Sequence, residues 1–333
     1  MSGLKALRKI QLGKEAAAGT LVVPTALWRG LGTIEDQREV KFTEESIGYL
    51  SGVDRTYTPK YLAALEMESV PATFEQLPYI LAASMQNTTT GAADGSGSGK
   101  VYVFTAPTTA APTIQTFSLE AGDNEAVECA EYGFVENWKL SGKPGEALMV
   151  SASWQARQVT GTSGFTAVAV PTVEEILTSK GKLYVDAVDG TLGTTQVSNT
   201  ILNIDVSYKS GIKPAFSATG ALTFSHLHNG MVEPQIELTF EHDTSGQAQK
   251  TNWKAETAKM FRLSFEGSAF TTAGTAYTYK TAIIDFAAKV EKVSKLDEID
   301  GNDVLKVTLK PRYNATAAKF FAVTVVNNLA SIT

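Results

Sequence analysis

The sequences KLSGKPGEALMVSA, at residues 139–152, and KLDEIDGNDVLKVT, at residues 295–308, share one pattern: a strand end, a turn closed by glycine, and a new strand. A lysine–leucine pair and the turn glycine recur 156 positions later. At this offset the apolar faces of the outgoing strands are opposed, so the second turn is expected to be one residue longer. The repeated hairpin predicts a duplicated domain; the alternative is that two unrelated β-hairpins look alike.

The order strand, helix, strand, hairpin occurs twice around these hairpins. In the first copy, LEME at residues 65–68 precedes a helix and VYVFTA at residues 101–106 follows it. In the second copy, LTFE at residues 238–241 and FRLSFEG at residues 261–267 hold the same places. This shared order supports the interpretation of a tandem duplication.

Period-two alternation dominates the chain and indicates half-buried antiparallel strands. In QIELTFEH, for example, Ile236, Leu238 and Phe240 share one face and polar residues share the other. A chain of 333 residues can hold two domains, each with its own core. We expect a mainly β (α+β) fold of two tandem β-sandwich or barrel domains, each with one short helix and with long loops. Residues 1–165 would hold an extended N-terminal arm and the first domain, and residues 166–333 the second.

Three stretches have helical spacing. The first follows Thr73, which resembles a capping box together with Gln76. The second is TNWKAETAKMF at residues 251–261, whose apolar residues form one stripe. The third is TVEEILTSKG at residues 172–181, a candidate connector near the midpoint of the chain.

The composition excludes several classes of protein. A net charge of −6 and a pI near 5.3 argue against a protein that coats nucleic acid, which would show a basic stripe. A single cysteine, Cys129, excludes an internal disulfide, and we expect it to be a small buried hydrophobe. No apolar run approaches the roughly 20 residues of a membrane span, and the N-terminus lacks the apolar run of a signal peptide. We expect no membrane association.

No motif carries recognisable chemistry. GSGSGK at residues 95–100 fails as a phosphate loop, because Asp94 stands where the first glycine belongs and Val101 follows the lysine. His226 and His228 have reachable spacing for a metal, but a hairpin turn explains them more simply. We therefore expect no catalytic residue, cofactor or metal, and a protein that is not an enzyme.

Three long stretches resemble the major tail tube proteins of siphophages, in the long form with a duplicated tube domain. They are LGKEAAAGTLVVPTALWRGLG at residues 12–32, YLAALEMESVPATFEQLPYILAAS at residues 61–84, and GNDVLKVTLKPRYNATAAKFFAVTVVNN at residues 301–328. PTVEEILTSKGKLYVDAVDGTLGTT at residues 171–195 fits more loosely.

The resemblance implies a structural virion protein that is made in the host cytoplasm and becomes part of the tail. Its copies would form rings that stack into a hollow tube, through which DNA leaves the virion without specific binding. In that family a single tube domain forms hexameric rings, whereas a duplicated one can form a trimer with pseudo-sixfold symmetry. The other implied partners are the tape measure protein and the proteins at the tail ends.

A conduit for DNA should not hold the phosphate backbone, so its lumen is expected to be acidic or neutral. Because salt screens such fields within about 10 Å, only inward side chains matter. The candidate lumen residues are Glu66, Glu68, Glu237 and Glu241, and the alternative is that they face solvent outside the tube.

Contacts between rings and subunits are assigned to the N-terminal arm and to the polar loop at residues 42–60. The loop at residues 87–100 is expected to be flexible. The candidate contact residues are apolar or aromatic and have no obvious core of their own. They are Leu4, Leu7, Ile10, Trp28, Tyr49 and Tyr57, and the alternative is that they pack on their own domain.

Three other functions compete with the duplicated tube. The first keeps one tube domain and makes the other half an immunoglobulin-like decoration, which gives hexamers. The second is another virion shell protein or adhesin. The third is a β-sandwich carbohydrate-active enzyme, which requires two facing carboxylates.

Overall fold

The computed structural model describes residues 2–86, 90–162, 164–198 and 200–333, so residues 87–89 of the predicted flexible loop lie outside the described residues. Strands dominate these ranges, which confirms the mainly β class. Two 3-10 helices, Lys5–Leu7 and Thr178–Lys180, accompany two short α-helices.

The elements of the first half of the chain are β1 (Lys9–Lys14), β2 (Ala26–Trp28), β3 (Gly32–Asp36), β4 (Lys41–Glu44), β5 (Val53–Tyr57), β6 (Ala63–Pro71), α1 (Leu77–Ala82), β7 (Ala92–Ala93), β8 (Lys100–Thr105), β9 (Phe117–Gly122), β10 (Val127–Gly142), β11 (Met149–Ala156) and β12 (Val159–Thr162). Those of the second half are β13 (Gly181–Ala187), β14 (Gln196–Val197), β15 (Ile201–Lys209), β16 (Ile212–Ala215), β17 (His226–Asn229), β18 (Glu233–Glu241), α2 (Thr244–Lys254), β19 (Lys259–Ala269), β20 (Tyr279–Val293), β21 (Asp297–Ile299), β22 (Asn302–Pro311) and β23 (Phe321–Asn327).

Eight strands form a main sheet in the order β3-β6-β11-β10-β15-β18-β22-β20, and each neighbouring pair is antiparallel. Alternation along each strand sends apolar side chains to one face. Ile236, Leu238 and Phe240 are fully buried on that face, as predicted from the sequence. The other face is polar.

Long strands link the main sheet to the rest of the fold. The first part of β10 pairs with β9 and β12, while the first part of β20 pairs with β19 and β23. One hydrophobic core lies between these strands and the main sheet. Phe117 on β9, for example, meets Trp154 on β11 edge to face, with 5.9 Å between ring centroids.

The two halves of the chain use their strands in the same order. In the first half β1 pairs with β9, and β3, β6, β11 and β10 form half of the main sheet. In the second half β13 pairs with β19, and β15, β18, β22 and β20 form the other half. A helix follows β6 in one half and β18 in the other.

The predicted correspondence between VYVFTA at residues 101–106 and FRLSFEG at residues 261–267 is wrong, because β9 holds the place of β19. The first half instead has an insertion with no counterpart among the described residues of the second. It contains β7 and β8, and β8 pairs with β23 and so extends the second half. Within it, the carboxylate of Asp94 accepts hydrogen bonds from the backbone N–H groups of Ala276 and Tyr277, at 2.8 to 3.1 Å. Residues 95–100, which fail as a phosphate loop, therefore belong to a structural link between the halves.

The repeated hairpins align at an offset of 155 residues, one less than the sequence identities indicate. Val135 pairs with Trp154 and Val290 with Leu309, and in each case the next residue of the incoming strand, 136 or 291, is skipped in the ladder. Because this bulge is shared, both strands of the hairpin repeat at the same offset. The prediction of a longer second turn is therefore wrong; the lysine–leucine pair and the turn glycine are each displaced by one position relative to the structural offset.

The helix predictions had mixed outcomes. The first helix is confirmed and is buried throughout, but α1 begins at Leu77 and lacks the predicted capping box: the N–H of Gln76 donates to the hydroxyl of Thr73 at 3.2 Å, whereas the side chain of Gln76 donates to the carbonyl of Leu27. The second is confirmed only for residues 251–254, the last turn of α2; the helix begins earlier, at Thr244, where Asp243 caps it by accepting from the N–H of Gly246 at 2.8 Å. Residues 259–261 of that stretch instead begin the buried strand β19.

The third predicted helix, residues 172–181, is mostly extended. The N–H of Ile176 donates to Ala72, and the carbonyl of Ile176 accepts from Leu148. These bonds place the connector between Ala72, just after β6, and Leu148, just before β11, and helical backbone could not form them.

The extended N-terminal arm is shorter than expected. Residues 9–14 form β1, which pairs with both β2 and β9, so only the residues before it lie outside the sheet. The predicted loop at residues 42–60 contains a two-stranded sheet of its own, β4–β5.

Candidate assembly surfaces

The two halves of the chain meet in a backbone seam within the main sheet. In this internal seam residues 137–142 of β10 pair with residues 204–209 of β15. Trp138 stacks on Tyr208 with ring centroids 5.4 Å apart, and Lys139 forms an ion pair with Asp205 at 2.8 Å. Antiparallel pairing therefore joins one repeat of four strands to the next.

The strands at the two ends of the main sheet are equivalent to the two strands of the internal seam, but each has an unpaired edge. In the described part of the chain β3 pairs only with β6. Residues 292–297, which run from the end of β20 to the start of β21, have their described backbone partners on β22. By strand order β3 holds the place of β15, and this segment holds the place of residues 137–142. An unpaired strand edge is a template for another chain.

The strand β3 corresponds residue by residue to part of β15. Leu65 and Ile236 are equivalent because they pair with equivalent residues of β11 and β22. Their partners on the outer strands, Ile34 and Val206, are then equivalent as well. Residues 32–37 therefore correspond to residues 204–209.

The two open edges carry charged side chains of mostly opposite sign, although Asp36 pairs with Arg38 at 2.8 Å and the other edge ends at the exposed Asp297. Glu35 and Asp36 lie exposed at the β3 edge, and Lys292 and Lys295 lie exposed at the other. The contact residues predicted from the sequence did not include these four. A comparison of the two halves strand by strand would have found them, whereas a search for apolar surface residues does not.

The four predicted lumen glutamates lie on β6 and β18. Glu66, Glu237 and Glu241 alternate with buried residues, which places them on the polar face of the main sheet. Glu68 is exposed beside the register shift between β6 and β11. Glu66 accepts a hydrogen bond from the hydroxyl of Ser153 at 2.6 Å.

The polar face carries lysines among its carboxylates, which the sequence analysis did not anticipate. Opposite charges meet across neighbouring strands because such pairs stabilise a sheet. A hydrogen bond from Lys306 to Glu237, at 2.6 Å, raises the pKa of that lysine. The ion pairs on this face are Lys139–Asp205, Lys209–Glu233, Lys306–Glu237 and Lys310–Glu291.

Two predicted contact residues are wrong. Ile10 and Trp28 pair directly opposite each other on β1 and β2, and their exposed fractions are 0% and 4%. Both belong to the hydrophobic core of the chain, because residues 9–14 add a strand beside β9. They are therefore not available to a second copy.

The other four predicted contact residues are exposed. Leu4 and Leu7 lie in the segment before β1, Tyr57 ends β5, and Tyr49 is 77% exposed in the turn of the β4–β5 hairpin. They stay candidates for contacts between copies.

Among the described residues no group of three or more His, Cys, Asp or Glu side chains is arranged to hold a metal. His226 and His228 are exposed, with ring centroids 5.2 Å apart. Cys129 is buried, as predicted; burial, and then the charge of Glu120, raises the pKa of its thiol to about 11. No helix within the described ranges is long and apolar enough to cross a membrane.

This chain matches no protein-family model and no curated protein sequence.

Proposed function

We propose that this chain is a structural subunit whose copies close into rings, and that stacked rings form a phage tail tube for DNA ejection. The observation that carries the proposal is the internal seam, residues 137–142 against residues 204–209. Within one chain this seam joins two repeats. The outer edge of one repeat, residues 32–37, is equivalent to residues 204–209, and that of the other, residues 292–297, is equivalent to residues 137–142. A second copy can therefore repeat the same joint.

The register of the internal seam specifies the joint between copies. Leu140 pairs with Val206 in the internal seam, so Lys295 of one copy would lie opposite Ile34 of the next. On the polar face Lys292 would lie diagonally from Glu35. Diagonal neighbours in a sheet are about 7–8 Å apart, within reach of long side chains.

Three copies per ring agree best with this arrangement. Each chain brings two similar units of four strands, so three chains present six, the pseudo-sixfold ring that the resemblance to tail tube proteins implies. The shared strand order of the two halves argues against an immunoglobulin-like decoration, because both halves contribute equally to the main sheet. Closure also removes both open edges.

The polar face of the main sheet would line the bore. Four of its lysines already have carboxylate partners on neighbouring strands. These partners reduce the electrostatic attraction of the lysines for phosphate. Glu66, Glu68 and Glu241 add negative charge to this face. A lining of this kind holds DNA weakly, because counterion release requires unpaired cations.

Contacts between copies outside the sheet are assigned to Leu4, Leu7, Tyr49 and Tyr57, which are exposed on this chain. The virion tail would be the protein's location and its other partners would be the tape measure and tail-end proteins. DNA would pass through without specific binding.

Negative-stain electron microscopy of the purified, concentrated protein tests the proposal. We expect hollow filaments or rings of uniform bore whose averaged end views show three subunits and six similar units. Solid particles, open sheets, or a monomer at all concentrations would overturn it. Sixfold rings with decorations outside them would favour the hexamer.

A further inference from the structure

A second hairpin, β16–β17, connects β15 and β18 in the second half and folds onto the first half. Ile212 and Phe224 are each 1% exposed, and they pack with Phe134 in a separate small hydrophobic cluster. The ring of Phe224 lies 4.9 Å from that of Tyr132, and the guanidinium of Arg157 lies 5.6 Å above it. The second repeat thus covers its neighbour within the chain.

The β4–β5 hairpin holds the same place in the first half, between β3 and β6, and has the same register. Lys41 pairs with Tyr57, as the equivalent Lys213 pairs with His228. By this register Val40 corresponds to Ile212 and Val53 to Phe224. Yet Val40 is 47% exposed and Val53 is 41% exposed. Two apolar positions that are buried in one hairpin are uncovered in the other.

The second half carries part of an equivalent surface, although Lys289 stands where the first half has Phe134. The backbone N–H of Arg312 donates to β20 as that of Arg157 donates to β10, so the two arginines are equivalent. Arg312 is exposed, and so is Tyr313 beside it. Met231, 88% exposed, lines a cavity of about 460 Å³ with residues 107–112. Met231 is equivalent to Lys60 of the first half, whose ammonium lies 5.8 Å from the ring of Phe216 in the loop after β16. We call Met231, Arg312 and Tyr313 the platform.

We propose that the β4–β5 hairpin of one copy docks on the platform of the adjacent copy in the same ring, with Val40 and Val53 facing it. The proposed occupant is a second copy of this chain, because β16–β17 makes the same contact within the chain. The inference rests on the proposed function, since the edge pairing of residues 32–37 with residues 292–297 brings this hairpin over the adjacent second half. In this placement strands β4 and β5 contact the adjacent copy within the same ring.

A photo-crosslinking amino acid tests this placement. The full chain would carry p-benzoylphenylalanine at position 53, with a matched variant at Val103, which is similarly exposed on β8. Mixed isotope-labelled and unlabelled copies show by mass spectrometry whether a crosslink joins two copies. We expect position 53, and not position 103, to crosslink to the peptides around Met231 or Arg312 of another copy.

The outcomes separate the two proposals. Assembled rings whose position-53 crosslinks fall elsewhere, or are absent, overturn the hairpin placement and leave the ring intact. A crosslink to the platform within the same copy overturns it too. If electron microscopy shows no ring for either variant or for the unsubstituted protein, the proposed function fails and the placement fails with it.

Discussion

A charge reversal at the proposed joint between copies tests the ring most directly. Glu35 lies exposed at the β3 edge and Lys292 lies exposed at the opposite edge. Transfer of the internal register makes them diagonal neighbours on the polar face. Glu35→Lys would replace an attraction with a repulsion and change no core side chain, so the subunit itself should fold normally.

The expected magnitude follows from the number of joints. A cross-strand charge pair contributes roughly 0.2–1 kcal/mol, and its reversal should cost about 1 kcal/mol per joint when exposure is allowed for. A closed ring of three copies has three such joints, so the loss is about 3 kcal/mol, or roughly 100-fold in the assembly constant. The association constant of a trimer has units of inverse concentration squared. The subunit concentration at half-assembly therefore rises as the square root of the 100-fold loss, which is about tenfold.

Sedimentation velocity across a concentration series measures this shift, and electron microscopy identifies the species. Lys292→Glu should weaken assembly by a similar amount, and the double variant should restore it. Lys310→Glu is the matched control, because Lys310 lies on the same face one strand inside the edge and pairs with Glu291. Equal assembly by all four variants, or no recovery in the double variant, would refute the register.

Three further predictions concern the subunit. Trp138→Ala should lower the free energy of unfolding by about 3–5 kcal/mol in urea titrations, because the ring is 1% exposed, whereas Trp253→Ala, 38% exposed, should cost far less. Burial alone would raise the pKa of Asp186, but hydrogen bonds from the loop that follows outweigh it and lower the pKa below its ordinary 3.8. That stabilisation is complete above pH 3.8 and is lost as the pH falls through the folded value, so Asp186→Asn should flatten the acid limb of stability against pH. Burial and the charge of Glu120 raise the pKa of Cys129, so iodoacetamide at pH 8 should alkylate it only after denaturation, as mass spectrometry would show.

Local patterns predicted local structure well. The alternation around Ile236 predicted a buried face, because successive side chains of a strand always point to opposite sides. Thr73 predicted that a helix follows it closely, because its hydroxyl can accept a hydrogen bond from the N–H of Gln76, the residue before α1. These predictions depend on neighbours along the chain only.

Predictions failed where tertiary contacts outweighed local spacing. The apolar stripe at residues 251–261 was divided between a helix and a strand, because Phe261 is buried on β19, stacked on Phe286. Trp28 was expected on the surface, yet its strand pairs with β1 and buries it. In both cases a partner distant in sequence provided the apolar surface.

The sequence alone determined the mainly β class, the polar and apolar faces of individual strands and the suggestion that a hairpin is repeated. Only the tertiary structure decided the order of the strands, the offset of 155 residues, the internal seam and the two edges that remain unpaired. The physical reason is that side-chain alternation is a property of each strand, whereas an edge is free only when no other strand pairs with it. Pairing partners in a sheet are chosen through the common core and can lie far apart in the chain.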